Sequence, residues 1–134
     1  MENLNELLQQ SDFIVNCLPY TSQTHEQFNL KTFNQMKPSS VFINIGRGKT
    51  VREEDLVRAL EDEIISKAVL DVFYMEPLDP NSKLWDLKNV VITPHCANTT
   101  SEGHGESFKI FLVNLLGYLS GKGLENQCDK RLGY

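Results

Sequence analysis

Three side chains stand where chemistry could be done: Arg47, set between Gly46 and Gly48; Glu76, five residues after Asp71; and His95, directly after Thr93-Pro94. An arginine can hold a carboxylate through two parallel hydrogen bonds, which the point charge of a lysine does not reproduce. Glycines on both sides would let it approach an anion without side-chain obstruction. A carboxylate beside an imidazole favours the protonated ring and readies it to give a proton to a carbonyl oxygen. Each residue alone also has a structural reading. An arginine between glycines suits a helix or phosphate partner equally well, and a lone histidine after proline suits packing. The question is whether the chain brings the three together.

The elements that must position them follow from apolar spacing. Residues 3–10 place Leu4, Leu7 and Leu8 on one face of a short helix. Phe13 to Leu18 is a nearly continuous apolar run, the pattern of a parallel strand covered on both faces, and Pro19 ends it. Asn29 to Met36 reads as a helix with Leu30, Phe33 and Met36 inward, and Lys37-Pro38-Ser39-Ser40 as a turn. Val41 to Ile45 is a second strand, and Glu53 to Glu61 a helix whose acidic first turn, Glu53-Glu54-Asp55, suits the positive end of the helix dipole. Lys67 to Val72 is a third strand, 73–84 a proline-containing loop, Val90 to Ile92 a fourth strand. Thr100 to Leu119 is the longest helix, with Phe108, Phe111, Leu112, Leu115 and Leu119 expected to form a core stripe. Alternation of this kind predicts an α/β fold, a parallel sheet with flanking helices.

In such a sheet the carboxyl ends of the strands share one edge, where ligands bind. The residues just beyond those ends are Pro19-Tyr20-Thr21, Gly46-Arg47-Gly48, Asp71 through Glu76, and Pro94-His95. A cation, a carboxylate and an imidazole therefore converge. That trio suits reduction of a 2-oxo acid to a 2-hydroxy acid, provided a bound cofactor supplies the hydride. A metal site built on His95, Cys96 and His104 lacks familiar ligand spacing, so no metal is expected, and His25 and His104 read as solvated.

Bulk properties narrow the setting. The 134 residues suffice for one domain with its own core. The net charge of −5 is spread over interspersed charges of both signs, without the basic stripe of a nucleic-acid binder. The amino terminus lacks the pattern of a secretory signal, and the most apolar stretch, Ile110 to Leu119, falls well short of the roughly 20 residues of a membrane span. Three widely spaced cysteines without a Cys-x-x-Cys pair point to reduced thiols. These features together imply a cytoplasmic protein that binds neither membrane nor nucleic acid.

The segments SDFIVNCLPYTSQT (11–24), MKPSSVFINIGRGKTVREEDLVRAL (36–60), AVLDVFYMEPL (68–78) and NVVITPHCAN (89–98), with the ending from Asn114, resemble the D-isomer-specific 2-hydroxyacid dehydrogenases, of the glyoxylate or hydroxypyruvate reductase kind. The resemblance runs nearly the whole chain in order. It implies that Arg47, in the N-x-x-R-G element, binds the substrate carboxylate; that Glu76, in D-V-F-x-x-E-P, pairs with the catalytic histidine; and that His95, in T-P-H, is the general acid and base. It further implies contacts to NAD or NADP from Leu18, Pro19 and Thr24, from Ile45 and Gly46, and from Asp71, Ala97 and Asn98. Two departures stand out: Arg52 where a helix-capping acidic residue is common, costing about 1 kcal/mol of capping, and Asn98 where a small residue is common.

No G-x-G-x-x-G follows a strand anywhere in the sequence. By the resemblance, the chain is the carboxyl-terminal portion of a partial Rossmann-type, doubly wound nucleotide-binding domain: residues 1–99 hold four βα-type units, 100–120 a long helix and 121–134 a tail. Without the glycine loop, NAD(P) binding is expected to be weak or absent and the isolated chain inactive. The strand 13–18 would then be a bare edge inviting a homodimer or other self-association. Besides a small 2-oxo or 2-hydroxy acid dehydrogenase, two other readings share this fold: an interaction module similar to the C-terminal-binding-protein corepressors, and a regulatory fragment without chemistry.

Overall fold

A computed structural model describes residues 3–99 and 103–131. These divide into two compact units, one ending at His95 and the other beginning at Cys96. In the first unit, α1 (Leu4–Gln10) leads into β1 (Phe13–Asn16), α2 (Leu30–Phe33), β2 (Val41–Asn44), a 3-10 turn η1 (Gly48–Thr50), α3 (Glu53–Glu61), β3 (Lys67–Leu70), a second 3-10 turn η2 (Lys83–Trp85) and β4 (Val90–Ile92). The strands form one parallel sheet in the order β1-β2-β3-β4. Asn16 stands beside Asn44, Asn44 beside Leu70, and Leu70 beside Ile92, so the carboxyl ends are level.

Strands β1 and β2 stop sooner than the apolar runs predict, and asparagine chemistry explains it. The Leu18 amide donates to Asn16 Oδ1 at 3.1 Å and the Gly46 amide to Asn44 Oδ1 at 3.2 Å. In each case the side chain captures the amide two residues on and turns the backbone out of the ladder. Helix α2 is a single turn rather than the two predicted, started by Asn29, whose side chain accepts from the Lys31 amide while Thr32 Oγ1 accepts from the Asn29 amide. Helix α3 has Arg52 at its N-cap with no side-chain cap bond, as the sequence anticipates. Its Asp55 Oδ2 instead accepts from the Leu30 amide at 2.9 Å, tying α3 to α2.

Every crossover moves one place along the sheet in the same direction. Right-handed connections of this sort put the intervening helices on one face. The core lies there: Leu8, Ile14, Phe33, Phe42, Leu56, Leu60, Ala68 and Leu70 are buried. The opposite face corrects the expectation that β1 is covered on both sides, because Phe13 is 67 % and Val15 52 % exposed, and Val91 is also exposed. A continuous apolar run states that both faces are apolar; it cannot state that this unit supplies a cover for both.

In the second unit, α4 (Gly103–Leu119) is the longest helix. Its predicted start at Thr100, the side chain of His104 and the last residues of the tail lie outside the described residues. The expected core stripe is corrected: Phe108, Phe111, Leu112, Leu115 and Leu119 are all exposed. Apolar residues also occupy 110, 113, 116 and 118, so the helix has no single apolar face. Its own unit offers little to bury them against, chiefly the turn that returns through Glu125, whose amide donates to Asn114 Oδ1 at 2.7 Å. Among the described residues no helix is long and apolar enough to cross a membrane.

Candidate active site

The level strand ends carry the predicted residues to one edge of the first unit. Tyr20, Arg47, Gly48, Lys49, Glu76 and His95, with the loop 73–75, line a cleft of about 520 Å³. Arg47, Glu76 and His95 are thus brought together as the topology predicts. Within the cleft, His95 Nδ1 and Glu76 Oε2 lie 2.7 Å apart, and Glu76 Oε1 accepts from the Phe73 amide at 3.0 Å. Partial burial opposes ionisation of Glu76, but the hydrogen bonds from His95 and Phe73 and the positive charges of His95 and Arg47 outweigh it, holding the carboxyl below its ordinary value of 4.5. Glu76 is therefore an anion at neutral pH, and its partner nitrogen on His95 is the donor. Nε2 of His95 remains for a substrate.

His95 sits at φ 51°, in the left-handed region that a histidine rarely adopts. The loop before it enforces this. Thr93 donates its amide to Leu70 O at 3.0 Å and its hydroxyl to Asp71 Oδ1, and the His95 amide donates to Thr93 O at 3.1 Å. Asp71, buried at the end of β3, is thus a clamp on the loop that presents His95.

Arg47 is placed by a buried polar network the sequence reading did not foresee. Asn16 Nδ2 donates to Asn44 Oδ1 at 2.9 Å and to Thr50 Oγ1 at 2.7 Å, while Thr50 Oγ1 donates to the Arg47 carbonyl at 2.6 Å. Arg47 Nη1 folds back to Gly46 O at 2.8 Å. The flanking glycines serve packing more than ligand approach: a Cβ at Gly46 would lie 2.8 Å from Leu18 O, and one at Gly48 only 1.8 Å from Phe73 O. Both positions are backbone-on-backbone contacts, and they lock the Arg47 turn against the ends of β1 and β3. The one sequence signal was an asparagine closing two successive apolar runs, Phe13-Ile14-Val15-Asn16 and Val41-Phe42-Ile43-Asn44.

The remaining predicted contacts divide. Leu18 and Pro19 are half-buried and Ile45 is exposed at the same edge, an apolar rim suited to a flat ring. Thr24 is buried, its hydroxyl donating to Pro19 O at 2.7 Å and accepting from the Thr21 amide at 2.8 Å, so it closes the loop 19–24. Ala97 and Asn98 belong to the second unit.

Residues 1–97 match the model of the D-isomer specific 2-hydroxyacid dehydrogenase NAD binding domain. A glyoxylate/hydroxypyruvate reductase B of Shigella boydii is 43 % identical over 126 residues, covering 94 % of this chain and 39 % of the relative. A protein of Corynebacterium melassecola without an assigned activity is 37 % identical over all 134 residues, 44 % of its length. Among solved structures, a D-isomer specific 2-hydroxyacid dehydrogenase from Xanthobacter autotrophicus in complex with NADPH and MES superposes with a TM-score of 0.92 at 34 % identity, over 100 % of this chain and 55 % of that one. An NADPH-dependent glyoxylate/hydroxypyruvate reductase from Sinorhizobium meliloti, in complex with NADP and sulfate, gives 0.90 at 36 % identity, over 99 % and 43 %. The chain thus spans about two-fifths of the length of the curated relatives it matches. With the parallel sheet, the cleft at its carboxyl edge and the matched residues in agreement, the chain belongs to the D-isomer specific 2-hydroxyacid dehydrogenase family.

Proposed function

We propose that this chain carries the proton-transfer and carboxylate-binding groups of an NAD(P)-dependent oxidoreductase that interconverts small 2-oxo acids, such as glyoxylate or hydroxypyruvate, and their D-2-hydroxy acids. The observation that carries the reading is the Glu76–His95 pair, 2.7 Å apart, in one cleft with Arg47. Arg47 takes the substrate carboxylate and sets the carbonyl before His95. The Glu76 carboxylate accepts a hydrogen bond from Nδ1–H and so fixes the ring's orientation and keeps Nδ1 protonated. His95 gives the proton on Nε2 to the carbonyl oxygen, and takes it back in the oxidative direction. NAD(P) bound at this edge would supply the hydride to the carbonyl carbon, or take it up in the oxidative direction.

The rim at the sheet edge fits the nicotinamide end of that cofactor. Leu18, Pro19, Ile45 and Gly46, with Asp71, would hold its ring, and the family resemblance adds Ala97 and Asn98 to the cofactor contacts, whereas the sequence carries no G-x-G-x-x-G for the pyrophosphate. Weak cofactor binding by the chain alone, a cytoplasmic setting and self-association along β1 complete the reading. The direct test grafts residues 1–134 in place of the matching segment of the Shigella boydii relative and follows reduced-cofactor absorbance with glyoxylate or hydroxypyruvate. Turnover is expected, with His95→Ala slower by about 10²- to 10⁴-fold. A folded chimaera in which His95→Ala runs at the parental rate would overturn the assignment.

A further inference from the structure

We propose that Lys49 makes this cleft select 2-hydroxy and 2-oxo acids carrying a second anionic group, such as a second carboxylate; the inference rests on the reading of Arg47 given above. Lys49 lines the same cleft as Arg47, Glu76 and His95. Its backbone is fixed on both sides. The Glu26 amide donates to Lys49 O at 3.0 Å and the Phe28 amide to Thr50 O at 3.0 Å, and the adjacent Thr50 is fully buried in the asparagine network. The side chain is directed too, with Nζ 5.9 Å from the centre of the Tyr20 ring, which also lines the cleft. A lysine serving only solubility has no need of such a platform.

The charges decide what it faces. Glu76 is already engaged by His95, and among the described residues no carboxylate lies within ion-pair distance of Lys49. By contrast the nearby Arg52 guanidinium has a carboxylate partner, Asp55, at 4.0 Å. A substrate with a single carboxylate neutralises Arg47 and leaves the Lys49 ammonium facing the cleft without a counter-charge. A second anionic group at the far end of a short acid supplies it.

The test titrates the isotope-labelled chain with D-lactate and with D-malate, two 2-hydroxy acids that differ by one carboxylate, and reads dissociation constants from the amide shifts of Gly46, Gly48 and Lys49. At low salt D-malate is expected to bind about three-fold more tightly, the scale of one solvent-accessible ion pair, and the preference should shrink as salt is raised. Lys49→Met and Lys49→Gln should bring the ratio to about one, whereas Lys31→Met, on α2 away from the cleft, should keep it. The inference is overturned if wild type shows no preference, or if the Lys49 variants retain it. Shifts with neither acid would overturn the reading of Arg47 as well, whereas equal binding of both removes only the role of Lys49.

Discussion

Replacing Asn16 by leucine, a residue of similar size, isolates the polar network from the packing around it. Asn16 is 2 % exposed and makes three hydrogen bonds, donating to Asn44 and Thr50 and accepting from the Leu18 amide. Leucine removes all three. Asn44 Oδ1 keeps the Gly46 amide at 3.2 Å and Thr50 keeps its donation to the Arg47 carbonyl at 2.6 Å, so neither is wholly orphaned. The Leu18 amide has no substitute. Three bonds at about 1 kcal/mol each and about 1 kcal/mol for the stranded amide, less about 1–2 kcal/mol from the added apolar burial, leave a loss of about 2–3 kcal/mol. Urea unfolding followed by circular dichroism measures it. Thr50→Val deletes the other end of the network, so the double variant should fall short of additivity by about 1 kcal/mol or more. The amide signals of Arg47 and Gly48 should shift in both single variants. A loss under about 1 kcal/mol with an additive cycle would refute the claim that this network positions the Arg47 turn.

Three other outcomes follow from the same packing and hydrogen bonds. The folded-state pKa of Glu76 is depressed, so its ionised form contributes stability above its ordinary value of 4.5, and that contribution is lost as pH falls through the lower folded value. The stability gap between wild type and Glu76→Gln should accordingly be constant from neutral pH down to that region and close below it in an acid titration of urea midpoints; a gap that widens in acid contradicts the pairing. Gly48→Ala drives a methyl to 1.8 Å from the Phe73 carbonyl, backbone that cannot rotate away, so destabilisation of about 3 kcal/mol or more is expected. A urea midpoint near that of wild type would show that the turn is not packed as described. At the sheet edge, Val15→Lys places a charge on the exposed face of β1 and should lower any concentration-dependent mass increase seen in sedimentation; association unchanged by it would place the contact elsewhere.

The alternation of elements and the placement of Arg47, Glu76 and His95 on one edge were legible because both depend on periodicity and strand order, which local sequence encodes. What stayed hidden depends on partners distant in the chain. Asn16 looks like an interruption of an apolar run until Asn44, 28 residues away, stands beside it in the parallel register and accepts a hydrogen bond from its side-chain amide. The same geometry revises the role of the glycines. Gly46 and Gly48 look like openings toward a ligand, but their missing side chains are filled by the backbones of Leu18 and Phe73. Phe73 in turn donates its amide to Glu76, which holds His95. A contact at Gly48 is therefore transmitted to the acid–base pair through only two hydrogen bonds, and the distance between carboxylate-binding and proton-transferring groups is set by how closely two turns of backbone can approach. The arginine contributes the charge; the glycines on either side decide where that charge stands relative to the imidazole.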